Sequence, residues 1–187
     1  MEIQQAQQVH QQHATRLYNA DAVEHAIGAM AKRIAADYAE RFPLVLCVMN
    51  GGLFLTGQLM RFWEFPLTVD YVHATRYRLS TLGRDVLWKA YPQNSLKGRS
   101  VIIVDDIFDQ GYTLEQVSQY CLKQGATECI SAFLISKQHQ RKRADIAADH
   151  SALECEDVYV YGSGMDLHSH FRNLSGIYAI PPEHSGR

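Results

Sequence analysis

The chain has 187 residues, 47% of them apolar and 20% charged, with a net charge of −2 at neutral pH. That is the composition of an ordinary globular protein, long enough to bury a core as one domain spanning 1–187. No apolar run approaches the roughly 20 residues needed to span a bilayer, and the slight acidity gives no overall pull toward nucleic acid.

Residues 1–13 are Gln-rich and are expected to be poorly ordered or to lie on a partner subunit. They lack the basic-then-apolar order of a signal peptide, so a cytoplasmic location is expected. Asp21 and Glu24 are spaced as a capping box, and Val23, Ile27, Met30, Ile34 and Tyr38 recur at helical spacing, which predicts an amphipathic helix over 21–41. Residues 43–49 read as a buried strand ending in Asn50-Gly51-Gly52, and 53–62 as a helix. A strand is expected over 68–75, followed by a polar, irregular stretch over 76–94. Further strands are expected over 100–104, 129–135, 158–161 and 177–180, with a helix from Leu114 to about Gln124 that Gly125 stops. Strands alternating with helices imply an α/β fold with a mostly parallel central sheet flanked by helices. Cys47, Cys121, Cys129 and Cys155 are scattered and read as buried thiols rather than disulfides. The nine histidines show no metal-ligand spacing and read as surface or core residues.

The densest chemistry lies in Val-Ile-Ile-Val-Asp-Asp-Ile-Phe-Asp-Gln-Gly-Tyr-Thr-Leu, residues 101–114. Four aliphatic residues of a buried parallel strand run into Asp105 and Asp106, and ligands of open α/β sheets bind past such strand ends. Paired carboxylates accept hydrogen bonds from sugar hydroxyls or hold a cation. Asp109, Gln110, Gly111, Tyr112 and Thr113 then lead into a helix whose N-terminus suits a phosphate monoester. Singly, each of these residues is as well explained by a solvated loop or a helix cap. Their joint spacing is far more specific.

That run resembles the phosphoribosyl-pyrophosphate (PRPP) signature of type I phosphoribosyltransferases, and residues 40–180 are most similar to the hypoxanthine-guanine branch. The resemblance implies the fold of that family, with a small hood built from the chain ends. It implies transfer of 5-phosphoribose from PRPP to N9 of a 6-oxopurine, with Mg²⁺ as cofactor. In this reading Asp105 and Asp106 hold the ribose hydroxyls and Asp109 exchanges a proton at N7 of the purine. Asn50 and Gly51 form a diphosphate loop, with a cis peptide expected between them. Lys137 donates to O6 of the base, Tyr159 stacks on it, the Val160 backbone reads its edge and Met165 packs on its other side. Asp166 lies near the base and a second Mg²⁺, so the metal set is Asp105, Asp106 and Asp166. Arg172 meets the departing pyrophosphate, with Arg141 as a further contact. Residues 76–88 fall where the family has a mobile flap, and a homodimer or homotetramer is implied.

The chain departs from common family usage in three places. Asn50 stands where many members carry a basic residue, Gln110 where a small hydroxyl residue is frequent, and Tyr112 where lysine or a small residue often appears. A preference for xanthine and guanine, and a noncatalytic PRPP-sensing regulator, are the alternative readings.

Overall fold

The computed structural model describes residues 1–76, 86–143 and 145–185. Six strands form the main sheet in the order β4 (Val86–Ala90), β3 (Thr68–Arg76), β2 (Leu44–Val48), β5 (Ser100–Phe108), β6 (Glu128–Gln138) and β7 (His150–Glu156). All neighbours are parallel except β3 and β4. The sheet is buried on both faces, which is why its central strands read as unbroken apolar runs. Val45, Ile102, Val104, Ala132 and Leu134 pack with Val23, Ile27, Met30 and Ile34 of α2 (Ala20–Tyr38) and with Leu55 and Leu59 of α3 (Gly52–Met60). Leu44, Leu46, Val101, Ile103 and Phe133 point the other way, onto Leu114, Val117 and Cys121 of α4 (Tyr112–Lys123).

A smaller antiparallel sheet combines both chain ends, in the order β1 (Thr15–Tyr18), β9 (Ile177–Ile180), β8 (Tyr159–Tyr161). The Gln-rich segment, expected to be poorly ordered or to lie on a partner subunit, forms α1 (Ile3–His13), which buries Ala6 and Val9 against Tyr161, Leu167 and Ile180. Tyr161 is fully buried, its hydroxyl lies 2.7 Å from His10 Nδ1, and burial pushes its pKa up to about 12.

Several boundaries differ from expectation for identifiable reasons. Asn19, not Asp21, caps α2, its side chain accepting from the Ala22 N–H at 2.9 Å. Strand β5 runs on through Asp105 and Asp106 to Phe108, so the acids lie inside the strand rather than past it. Strand β6 likewise continues past Ile135 to include Lys137. Strands β1, β4 and β7 were not anticipated: β1 is four residues long, and β4 and β7 are edge strands without a regular apolar alternation. The four cysteines are free. No helix among the described residues is long and apolar enough to cross a membrane. Residues 77–85, most of the expected flap, lie outside the described residues.

Asp70 fixes the connection from β4 to β5. Its carboxylate accepts from the backbone N–H groups of Tyr71, Gln93 and Asn94 and from the Asn94 side chain, at 2.7–2.9 Å. Burial works against the charge, but these donors outweigh it and hold the carboxyl below its ordinary range. A depressed folded-state pKa contributes stability above the ordinary carboxylate range and loses it as pH falls through the folded value. Asp70→Ala is expected to cost about 1–3 kcal/mol at pH 7 in urea unfolding. The gap to the parent should narrow as the pH is lowered below about 4.

Candidate active site

The site begins with a glycine pair pressed against β5. The chain leaves β2 through Met49, turns at Asn50-Gly51 and enters α3 at Gly52. A Cβ on Gly51 would fall 2.1 Å from Asp106 Oδ2, and one on Gly52 would fall 2.3 Å from the Val104 carbonyl oxygen. Only glycine allows this approach. The cis peptide joins Met49 to Asn50, one bond earlier than expected.

Asp105 and Asp106 are tied locally: Asp105 Oδ1 accepts from the Asp106 N–H and Asp106 Oδ1 from the Ile107 N–H, both at 2.8 Å. Burial, then the charge of Asp106, pushes the Asp105 carboxyl well above the ordinary carboxylate range. Burial raises Asp106 as well, although its hydrogen bond with Asp105 and the Arg172 guanidinium oppose the rise.

Opposite this pair lies the tightly wound loop 162–172. The Gly162 N–H donates to the Met165 carbonyl, the Gly164 N–H donates to the Arg172 carbonyl, and Leu167 and His170 form an antiparallel bridge. Gly164 adopts φ +101°, and a Cβ there would meet the Gly51 carbonyl oxygen at 2.9 Å. The loop buries Met165 and holds Arg172 between two acids: its guanidinium lies 2.6 Å from Asp166 Oδ1 and 3.9 Å from Asp106 Oδ2. Tyr159 opens β8 and donates its hydroxyl to the Asp166 carbonyl at 3.0 Å, and Val160 beside it is buried.

Asp166, expected near a second Mg²⁺, does not join Asp105 and Asp106 in a three-residue cluster. Among the described residues the one group of three acidic, His or Cys side chains close enough to share an ion is Asp109, His139 and Asp157, with ligand atoms within 4.8 Å of one another. Two cations already face Asp157, Lys137 Nζ at 4.0 Å and Arg141 Nη2 at 2.5 Å, which disfavours a metal there. The adjacent acids Asp105 and Asp106 are the better fit to Mg²⁺. They offer hard oxygen donors, burial raises both carboxyls so that a bound cation would offset the cost of their charge, and Mg²⁺ is commonly held by one or two carboxylates with substrate phosphates completing its shell.

Asp109 follows β5, and His139 Nε2 lies 2.6 Å from its Oδ1. Gln110 and Gly111 follow, Gly111 at φ +89° just before α4. Tyr112 and Thr113 form the first turn of α4, and the Arg143 guanidinium lies 5.5 Å from the centre of the Tyr112 ring. Arg143 is also paired with Glu115 and Asp145. Tyr112 thus brings a cation to the same loop by stacking. Lys137 is 6% exposed, a buried lysine rather than a solvated one. Arg141 is directed to Asp157, not toward the acid pair. His139, Asp157 and Gly164 escaped the sequence reading. For His139 a signal existed: it stands two residues beyond Lys137, so extended backbone puts both side chains on one face.

One measurement tests the electrostatics of the acid pair. A carboxyl with a raised folded-state pKa costs nothing below its unfolded pKa, destabilises the fold increasingly as pH rises from the unfolded to the folded value, and adds no further cost above it. Without divalent cation or PRPP, Asp105→Asn is expected to melt at a higher temperature than the parent at pH 8, the difference vanishing toward pH 4. An equal or lower melting temperature at pH 8 would show that Asp105 carries no such strain.

The profile described as "Phosphoribosyl transferase domain" matches residues 13–170. The chain is 27% identical over 161 residues to the hypoxanthine-guanine-xanthine phosphoribosyltransferase of Tritrichomonas foetus, covering 86% of this chain and 88% of that one. It is 28% identical over 167 residues to the hypoxanthine-guanine phosphoribosyltransferase of Bacillus subtilis, covering 89% and 92%. Among solved structures, a hypoxanthine-guanine-xanthine phosphoribosyltransferase superimposes with a TM-score of 0.77 at 25% identity, covering 90% of this chain and 95% of that one. A hypoxanthine phosphoribosyltransferase from Staphylococcus aureus shares the fold with a TM-score of 0.86 at 21% identity, covering 94% and 95%. The glycine-backed acid pair, the loop before α4 and the profile match over most of the chain agree: this chain belongs to the phosphoribosyl transferase domain family, a family of transferases.

Proposed function

We propose that the protein is a purine-salvage enzyme that transfers 5-phosphoribose from PRPP to N9 of hypoxanthine or guanine, giving IMP or GMP and pyrophosphate. The observation that carries this reading is a buried lysine linked to Asp109 through Asp157 and His139. Lys137 faces Asp157, and Asp157, His139 and Asp109 lie within one 4.8 Å cluster. A donor cation beside a proton acceptor suits a base with a keto oxygen at C6 and a proton at N7, and disfavours adenine, whose 6-amino group is itself a donor.

The proposed chemistry follows from position. The 5′-phosphate rests on the N-terminus of α4, where Gly111 permits close approach and the Thr113 hydroxyl donates. Asp105 and Asp106 accept from the ribose 2′- and 3′-hydroxyls. The backbone of Asn50 and Gly51 turns toward the diphosphate, and Arg172 lies on the side where it leaves. Tyr159 covers one face of the purine, Met165 the other, and the Val160 backbone and Asp166 border its edge. N9 bonds to C1′ as the bond from C1′ to the pyrophosphate oxygen breaks, its electron pair leaving with pyrophosphate. The N7 proton passes to the Asp109 carboxylate. When bound, Mg²⁺ would be held at Asp105 and Asp106 and would offset charge on the diphosphate. The remaining contribution of the protein is orientation and charge placement. A homodimer or homotetramer accompanies this reading, and a sizing column measures it.

Hypoxanthine, guanine, xanthine and adenine, each supplied with PRPP and Mg²⁺, are expected to divide into 6-oxopurines that release pyrophosphate and adenine that does not. Silence with all four bases would sink the enzyme reading in favour of a PRPP-sensing role. Lys137→Met preserves the packed stem and removes the cation. It is expected to lower kcat/KM for hypoxanthine about 10-fold or more, a loss of roughly 1.4 kcal/mol of transition-state stabilisation. Unchanged kcat/KM would remove Lys137 from base recognition.

A further inference from the structure

We propose that His139 is a positioning residue that orients Asp109 for proton transfer at the purine. This rests on the reading of Asp109 as the proton acceptor. The His139 side chain is 6% exposed and makes two directed contacts. Its Nδ1 accepts from the Arg141 backbone N–H at 3.1 Å, and its Nε2 lies 2.6 Å from Asp109 Oδ1. The first contact decides the second. A ring nitrogen that accepts an N–H carries no proton, so in the neutral ring the proton sits on Nε2 and is donated to the Asp109 carboxylate.

The donor of that first contact is itself anchored. The Arg141 guanidinium lies on Asp157, and Asp157 also faces Lys137. The charged groups around the imidazole are therefore Asp109 from the loop after β5, Lys137 and Arg141 from the end of β6 and its continuation, and Asp157 from the turn before β8. One chain of contacts links the group proposed to read O6 with the group proposed to take the N7 proton. Asp109 stands in the loop after β5, and the contact with His139 Nε2 favours one orientation of its carboxylate. Proton transfer requires the acceptor within hydrogen-bond reach of the proton, so an anchored Oδ1 favours turnover without adding a substrate contact. No proton leaves His139 in this scheme: the N7 proton ends on Asp109 and the Nε2 proton stays where it is.

The test compares steady-state kinetics with hypoxanthine and PRPP for His139→Leu, His139→Gln, Asp109→Asn and the double variant Asp109→Asn/His139→Leu. Leucine fills the space without a donor (alanine replaces it if leucine fails to fold), whereas glutamine returns an N–H near the Nε2 position. General acid–base catalysis contributes about 10²–10⁴-fold, so loss of orientation is expected to lower kcat by about 10-fold or more, with KM for PRPP changed less than about twofold. Glutamine should recover most of that loss, and His139→Leu should add nothing in the Asp109→Asn background. The inference is overturned by parental kcat in His139→Leu, by a glutamine variant as poor as leucine, or by losses that multiply in the double variant. If Asp109→Asn is impaired while His139→Leu is not, only the role of His139 falls. If Asp109→Asn turns over as the parent does, the reading of Asp109 falls with it.

Discussion

The arrangement depends on one steric constraint, the seating of the Gly51-Gly52 turn against β5. No side-chain carbon fits at either position, because Asp106 Oδ2 and the Val104 carbonyl already occupy the space. The same contact starts α3 directly over the strand end and sets the backbone of Gly51 against Gly164 of the opposite loop. Two loops far apart in sequence are thereby locked around the acid pair. A Cβ at Gly51, Gly52 or Gly164 would have to displace backbone, the Phe54 side chain or the Asp106 carboxylate.

Charge is the second constraint, and it is set against stability. Asp105 and Asp106 are adjacent, partly buried and raised in pKa, a costly arrangement in a resting protein. Arg172 offsets part of that cost from 3.9 Å while its stronger bond goes to Asp166. Asp70 shows the contrast: four donors satisfy its carboxylate and hold its pKa down.

The sequence was most legible where one physical rule dominated. The apolar runs of β2, β5 and β6 and the helical spacing of α2 announced buried strands and an amphipathic helix, because burial on two faces or one stripe leaves little choice of residue. Boundaries were less legible. The polar residues Asp105, Asp106 and Lys137 suggested strand ends, yet β5 and β6 continue through them, since backbone pairing with a neighbouring strand does not require apolar side chains. The Gln-rich start suggested disorder, but Ala6 and Val9, three residues apart, and His10 dock α1 on Tyr161. The edge strands β4 and β7 lacked the doubly buried pattern that made the centre readable.

By itself, the sequence determined the central strands β2, β3, β5 and β6 and helices α2, α3 and α4, the acid-rich run from Asp105 to Thr113 and its resemblance to a PRPP signature, because these are properties of neighbouring residues. Tertiary structure alone decided which distant groups meet. It brought His139 to Asp109 across 30 positions, placed Asp157 before Lys137 and Arg141, and set Arg172 between Asp106 and Asp166. It also moved the cis peptide to Met49–Asn50 and gave Tyr112 its partner in Arg143. Such contacts depend on strand register and loop winding over the whole sheet, and no local pattern of residues encodes them.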